Sequence, residues 1–172
     1  IAVSHFHADH FAGIPTFVLA SIYADHRRQP LVVAGPPGVE ARVVAAADAM
    51  GHGIRERDMS FALRCVELPA VRLVDLGPAR ARSFPVNHQP ESCPHGLELE
   101  VGGSRLVYSG DTGWFDGFPR HTRGADLVVV CLDGSEELDA ADLLLIEDLR
   151  DKSPLVVVTK SDLPGGFDRV AL

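Results

Sequence analysis

Three histidines and a carboxylate within six residues, Ser4-His5-Phe6-His7-Ala8-Asp9-His10, constrain this 172-residue chain more than any other stretch. Residues 1–4 are a short apolar run that reads as a buried strand, and a helical pattern opens at residue 11. In extended backbone, side chains two apart project to the same side, so His5 and His7 can converge on one point. Asp9 and His10 fall in the turn beyond, where the chain curls back and can offer a second pair of ligands. Imidazoles with a carboxylate suit zinc, or iron or manganese, better than calcium or magnesium. The spacing therefore predicts a metal site built on a strand end, a turn and a helix start.

The rest of the chain reads as alternating structure. Residues 11–23 carry apolar side chains on one helical face, with Pro15 in the first turn. Residues 31–34 form a strand that ends in Gly35-Pro36-Pro37-Gly38, and residues 39–50 a helix closed by Gly51 and Gly53. The middle third reads as β structure, over residues 61–68, 71–76, 79–86, 97–101 and 105–109, the last two forming a hairpin through Gly102-Gly103. Residues 127–132, 139–150 and 155–159 then follow a strand–helix–strand pattern with wholly apolar strands, the mark of a parallel βαβ unit.

Composition narrows the function classes. A hydrophobic share of 46% and a charged share of 23% fit a globular domain and exclude a disordered or low-complexity chain. Acidic residues outnumber Lys plus Arg by 24 to 16, for a formal charge of −8. That argues against a broad electrostatic grip on nucleic acid, while leaving room for a local basic strip. Cys65, Cys93 and Cys131 form no CxxC pair, which suits a reduced, cytoplasmic setting. No run of about 18 apolar residues predicts a membrane span.

The histidine stretch resembles the HxHxDH signature of the metallo-β-lactamase superfamily. His5 through Pro15, with Pro30-Leu31 and Gly35-Pro36-Pro37-Gly38 later, looks like its ribonuclease Z-like branch. Two further motifs follow in the family's order: Phe84-Pro85-Val86-Asn87-His88, and Leu106 to Gly113 with Asp111 in Ser109-Gly110-Asp111-Thr112. The resemblance covers about residues 1–130. It implies an αββα sandwich in which His5, His7 and His88 hold a first metal. Asp9 and His10 would serve a second, and Asp111 would bridge the two. It further implies zinc, one or two ions with iron or manganese as alternatives, and hydrolysis by metal-bound hydroxide with Asp9 as the catalytic carboxylate. The substrate class implied is a small-molecule or nucleic-acid phosphodiester.

Two departures from the family pattern stand out. The strands that precede HxHxDH in the family are absent, and no histidine follows His121 to complete the second metal, so the sandwich is expected to be incomplete. His26, His52 and His95 read as surface residues, with His95 in a loop able to approach the site; His121 is a weaker candidate for a substitute ligand. The tail over residues 125–164 resembles the second half of a TrmE-type GTPase domain, with Thr159-Lys160-Ser161-Asp162 in the place of the guanine-recognising [NT]KxD motif. No GxxxxGK[ST] loop accompanies it, which favours a βαβ tail, residues 131–172, packed on a metal-binding domain of residues 1–130. The leading expectation is a metal-dependent hydrolase. A metal-binding remnant without turnover, a chimera, and a nucleotide-binding module on the tail are the alternatives.

Overall fold

The computed structural model describes residues 1–55, 57–133, 137–150 and 154–159. After a short turn of helix, α1 (Ala8–Phe11), come α2 (Ile14–Tyr23), β1 (Leu31–Gly35), α3 (Val39–Ala49) and β2 (Leu63–Glu67). A meander follows, β3 (Val74–Asp75), β4 (Arg80–Pro85), β5 (His95–Val101) and β6 (Ser104–Tyr108). The chain then runs through α4 (Phe118–Thr122), β7 (Leu127–Asp133), α5 (Ala140–Leu149) and β8 (Leu155–Thr159).

Strand alternation sorts these elements into four layers. In the parallel pair β1–β2, Leu31 and Val33 face α2 and α3, packing with Ile14, Val18, Val39 and Val43. The intervening Val32 and Ala34 point the other way, into a second cluster with Leu68, Ala81, Leu97 and Leu99. Ala81, Leu97 and Leu99 lie on the six-stranded sheet, ordered β3-β4-β5-β6-β7-β8, antiparallel as far as β6 and parallel beyond, while Leu68 directly follows β2. Its far face, with Val107, Val128, Val130 and Leu132, is covered by Phe118 of α4 and by Leu145 and Leu149 of α5. Helices, sheet, sheet, helices is the αββα sandwich. On the inner side of β8, Leu155 and Val157 remain exposed beyond the smaller sheet.

The sequence expectations hold in outline and shift at their edges. Residues 1–4 make a single parallel bridge, Ala2 to Ala34, with Val3 N–H donating to the Ala34 carbonyl at 2.8 Å. The helix expected over 11–23 begins as α2 only at Ile14, with Gly13 as its N-cap, and Phe11 instead ends the separate turn α1 that carries Asp9 and His10. The strand expected over 71–76 shrinks to two residues, since Val71 and Arg72 form an exposed turn. The Gly102-Gly103 hairpin forms with both glycines at positive φ, 59° and 88°. The β7–α5–β8 unit extends the same sheet, and α5 is opened by a capping box on Asp139. Lys160, Ser161 and Asp162 of the TKSD motif lie outside the described residues.

The outer face of β5 buries a charge. Glu98, with its side chain 3% exposed, receives Arg82 at 2.9 Å, Arg105 at 2.6 Å and His121 Nδ1 at 2.9 Å. The His121 ring stacks on Phe84, centroids 3.9 Å apart and planes 9° apart. Opposite Phe84 on β5 is Gly96, where a Cβ would meet the ring at 2.3 Å. This network excludes His121 as a metal ligand: it stands on the outer face, committed to Glu98 and fastening α4 to the sheet. Burial alone would raise the Glu98 carboxyl, but hydrogen bonds from Arg82, Arg105 and His121 outweigh it and hold the group below its ordinary value.

Glu98→Gln removes the charge that the two guanidinium groups answer, and should cost about 2 kcal/mol in urea unfolding at neutral pH. A carboxyl lowered in the fold stabilises above its unfolded value of 4.5 and loses that contribution as pH falls through the lower folded value. The difference between wild type and variant should therefore narrow below about pH 4.5.

Candidate metal centre

His5 and His7 leave the same side of the chain just after the Ala2 bridge, as extended backbone requires. His5 is 1% exposed, and the hydroxyl of buried Ser4 meets its Nδ1 at 3.0 Å, which leaves Nε2 directed at the cluster. His5 Nε2 lies 3.2 Å from His7 Nδ1, and His88 Nε2 lies 3.3 Å from the same atom. A second group shares His5: His10 Nε2 is 3.3 Å from Asp111 Oδ2, and His5 Nε2 is 3.8 Å from that oxygen. Asp9 joins through His10, 3.3 Å away, and is itself 74% exposed. All six side chains named from the sequence thus meet in one region. The triads that form are His5–His7–His88 and His5–His10–Asp111, so Asp9 sits at the rim.

Tertiary contacts set these positions. The loop that carries His88 is clasped to the histidine strand by Phe6 N–H to the Ser92 carbonyl, 2.8 Å, and His95 N–H to the Ser4 carbonyl, 3.0 Å. Asn87 bridges to Gly113, with Gly113 N–H donating to its carbonyl at 2.9 Å, so the His88 and Asp111 loops run side by side. Gly110 has φ +63°, and a Cβ there would come within 2.7 Å of the His95 carbonyl oxygen and 3.3 Å of Ser4 Cβ. Only glycine lets the Asp111 loop pass that close. Ser4 and Gly110 are the supporting residues that pattern reading missed, although both adjoin a named ligand. His95 faces back to the Cys93 carbonyl at 2.9 Å, and His26 is exposed.

Protonation and spacing both fit a cation. Burial, then the neighbouring His10, lowers His5 to about 4 against a weaker raising effect from Asp111, so it is neutral at physiological pH. Burial also lowers His88, against the Asp111 carboxylate. An imidazole nitrogen offers one in-plane lone pair or one N–H. His7 Nδ1 can therefore satisfy His5 or His88 by hydrogen bonding but not both, whereas one cation accepts all three lone pairs. Zn–N bonds of about 2.0–2.1 Å at tetrahedral angles set nitrogens about 3.3–3.4 Å apart, close to the 3.2 and 3.3 Å found.

Ser4→Ala frees the His5 ring to rotate and change tautomer. It should weaken Zn²⁺ binding about tenfold in a competitive chelator titration, while Ser4→Thr, which keeps the hydroxyl, stays near wild type.

Residues 1–151 match the family described as the beta-lactamase superfamily domain. A ribonuclease Z of Mycobacterium bovis is 30% identical over 138 residues, covering 75% of this chain and 49% of that protein. One of Agathobacter rectalis is 35% identical over 104 residues, 60% of this chain and 32% of that protein. The chain spans about half the length of the mycobacterial relatives it matches. Among solved structures, the short form of human tRNase Z aligns with a TM-score of 0.63 at 18% identity, over 98% of this chain and 76% of that one. A metallo-β-lactamase fold protein of Bacillus subtilis aligns at 0.58 and 18%, over 96% of this chain and 75% of that one. By its matched residues and by its four-layer fold, the chain belongs to the metallo-β-lactamase superfamily.

Proposed function

We propose that the protein is a metal-dependent hydrolase acting on a phosphodiester, with RNA as the substrate class. The observation that carries this reading is the convergence of His5 Nε2, His7 Nδ1 and His88 Nε2 within 3.3 Å contacts of one shared atom. The ribonuclease Z names of the curated relatives supply the substrate class.

In this reading His5, His7 and His88 hold one zinc, with iron or manganese as the chemical alternatives. His10, Asp111 and Asp9 hold a second. A divalent pair in such a site supplies Lewis-acid polarisation of a phosphoryl group and the acidity that makes water a nucleophile at neutral pH. The chain's own contributions are separable from that. Neutral imidazoles on His5 and His88 offer lone pairs without first losing protons. Asp111 Oδ2 faces both His10 and His5, the residue the two triads share, so its negative charge lies beside both sets of ligands. Asp9 is the exposed carboxylate of the cluster, steadied by His10 at 3.3 Å, and is the group placed to orient an incoming water and accept its proton. The buried strand beneath, with Ser4 and His5 shut from solvent, fixes the ligands before anything binds.

Elemental analysis after zinc supplementation should find bound metal in the wild type and clearly less in His5→Ala and His88→Ala. The zinc-loaded protein should hydrolyse bis-p-nitrophenyl phosphate. Asp9→Asn should lower kcat by about a hundredfold or more, and chelation should abolish turnover reversibly. A protein that holds zinc in the wild type but never turns over this ester would overturn the hydrolase reading in favour of a metal-binding role.

A further inference from the structure

The network on the outer face of the sheet holds a buried charge that the metal centre does not touch. Its hub is Arg105 of β6, whose side chain is 23% exposed. One guanidinium nitrogen donates to the Arg123 carbonyl at 2.6 Å. The other donates, at 2.6 Å in each case, to the His121 carbonyl and to Glu98 Oε2. The Arg105 main chain is fixed as well: its N–H donates to Asp126 Oδ2 at 2.7 Å, and its carbonyl accepts from Asp126 N–H at 2.8 Å. Helix α4 spans only five residues, far below the length at which a helix persists alone in water. Its last carbonyls lack intrahelical partners and carry the negative end of the helix dipole. Arg105 answers both needs, and buried Glu98 holds the guanidinium in place.

The other end of α4 leads to the metal centre. Phe118 N–H donates to the Phe115 carbonyl at 2.9 Å, and their rings meet edge to face at 5.7 Å. A Cβ on Gly117 would come within 3.0 Å of the Phe115 ring, so the chain is closely packed there. From Phe115 the chain runs back through Trp114, Gly113 and Thr112 to Asp111, whose Oδ2 lies 3.3 Å from His10. Asp9 and His10 come from α1, so Asp111 is the ligand of the second set whose place depends on this segment. His88 of the first set rides on another loop, tied to the histidine strand through Ser92 and His95. We propose that Arg105 and Glu98 are positioning residues for the second metal: by holding α4 on the sheet, they set where Asp111 stands relative to Asp9 and His10. The inference rests on the two-metal reading given above, and it adds residues remote from the ligands to those that decide affinity at the second site.

The test is a titration of the metal-free protein with Co²⁺, followed by visible absorption, which reports the ligand geometry of each ion. Wild type should take up two ions in two steps. Arg105→Ala should weaken the second step about tenfold and leave the first within about twofold. Arg105→Lys keeps a cation beside Glu98, which spares the fold, but an ammonium lacks the planar fork that spans two carbonyls and a carboxylate. It should weaken the second step about fivefold, again with the first within about twofold. A role in stability alone would lower the urea midpoint of both variants and leave the two steps of the folded protein as in wild type. A second step unchanged in Arg105→Lys, or both steps weakened alike, overturns the positioning role and leaves the metal reading intact. A wild type that takes up one ion only overturns the proposal while the first site stands; one that takes up none overturns the metal reading itself.

Discussion

The crowding of imidazole nitrogens around His7 Nδ1 is the constraint to which the surrounding structure answers. Nitrogens 3.2 and 3.3 Å from one acceptor-or-donor atom cannot all be satisfied by hydrogen bonds. Holding them there without a cation is unfavourable, and the fold must supply the restraint. It does so with backbone contacts on both flanks, from Ser4 to His95, from Phe6 to Ser92, and from Asn87 to Gly113. Gly110 allows the third segment to lie against the other two. The site is thus preorganised by main-chain bonds between loops, and the side chains inherit their positions.

Two sheets with different duties surround it. In the parallel pair β1–β2, β1 is buried on both faces, against helices and against the other sheet, and is apolar throughout, whereas β2 carries the exposed Arg64 and Glu67. The six-stranded sheet carries its own buried charge on the outer face, where Glu98 joins Arg82, Arg105 and His121. That network ties α4 to β4, β5 and β6. Since α4 follows the Asp111 loop directly, the same network limits where that loop can go. A buried ion cluster on one face of the sheet and a metal-ligand cluster at the strand ends are therefore mechanically linked through residues 111–118.

Much of this was legible in the sequence. The period of two between His5 and His7, the Gly102-Gly103 hairpin and the apolar runs of β7 and β8 each follow from local rules that tertiary contacts did not overturn. Edges were less legible. Residues 71–73 look strand-like by composition yet turn at the surface, and the helix expected over 11–23 starts only at Ile14, after a separate turn that ends at Phe11. His121 looked like a spare ligand because it follows Asp111 by only ten positions. The packing of α4 on the outer face of the sheet places it instead against Glu98.

What the sequence determined by itself is the chemistry: which donors are present, their spacing within the histidine stretch, and the order in which His88 and Asp111 follow it. Those are properties of neighbouring residues and of strand and turn geometry. Only the tertiary structure decided which nitrogens face one another, that His5 belongs to both triads, that Asp9 stands at the exposed rim, and that Ser4 and Gly110 hold the arrangement. The reason is that convergence across eighty residues is set by loop-to-loop backbone contacts, and no local pattern encodes which loops will touch.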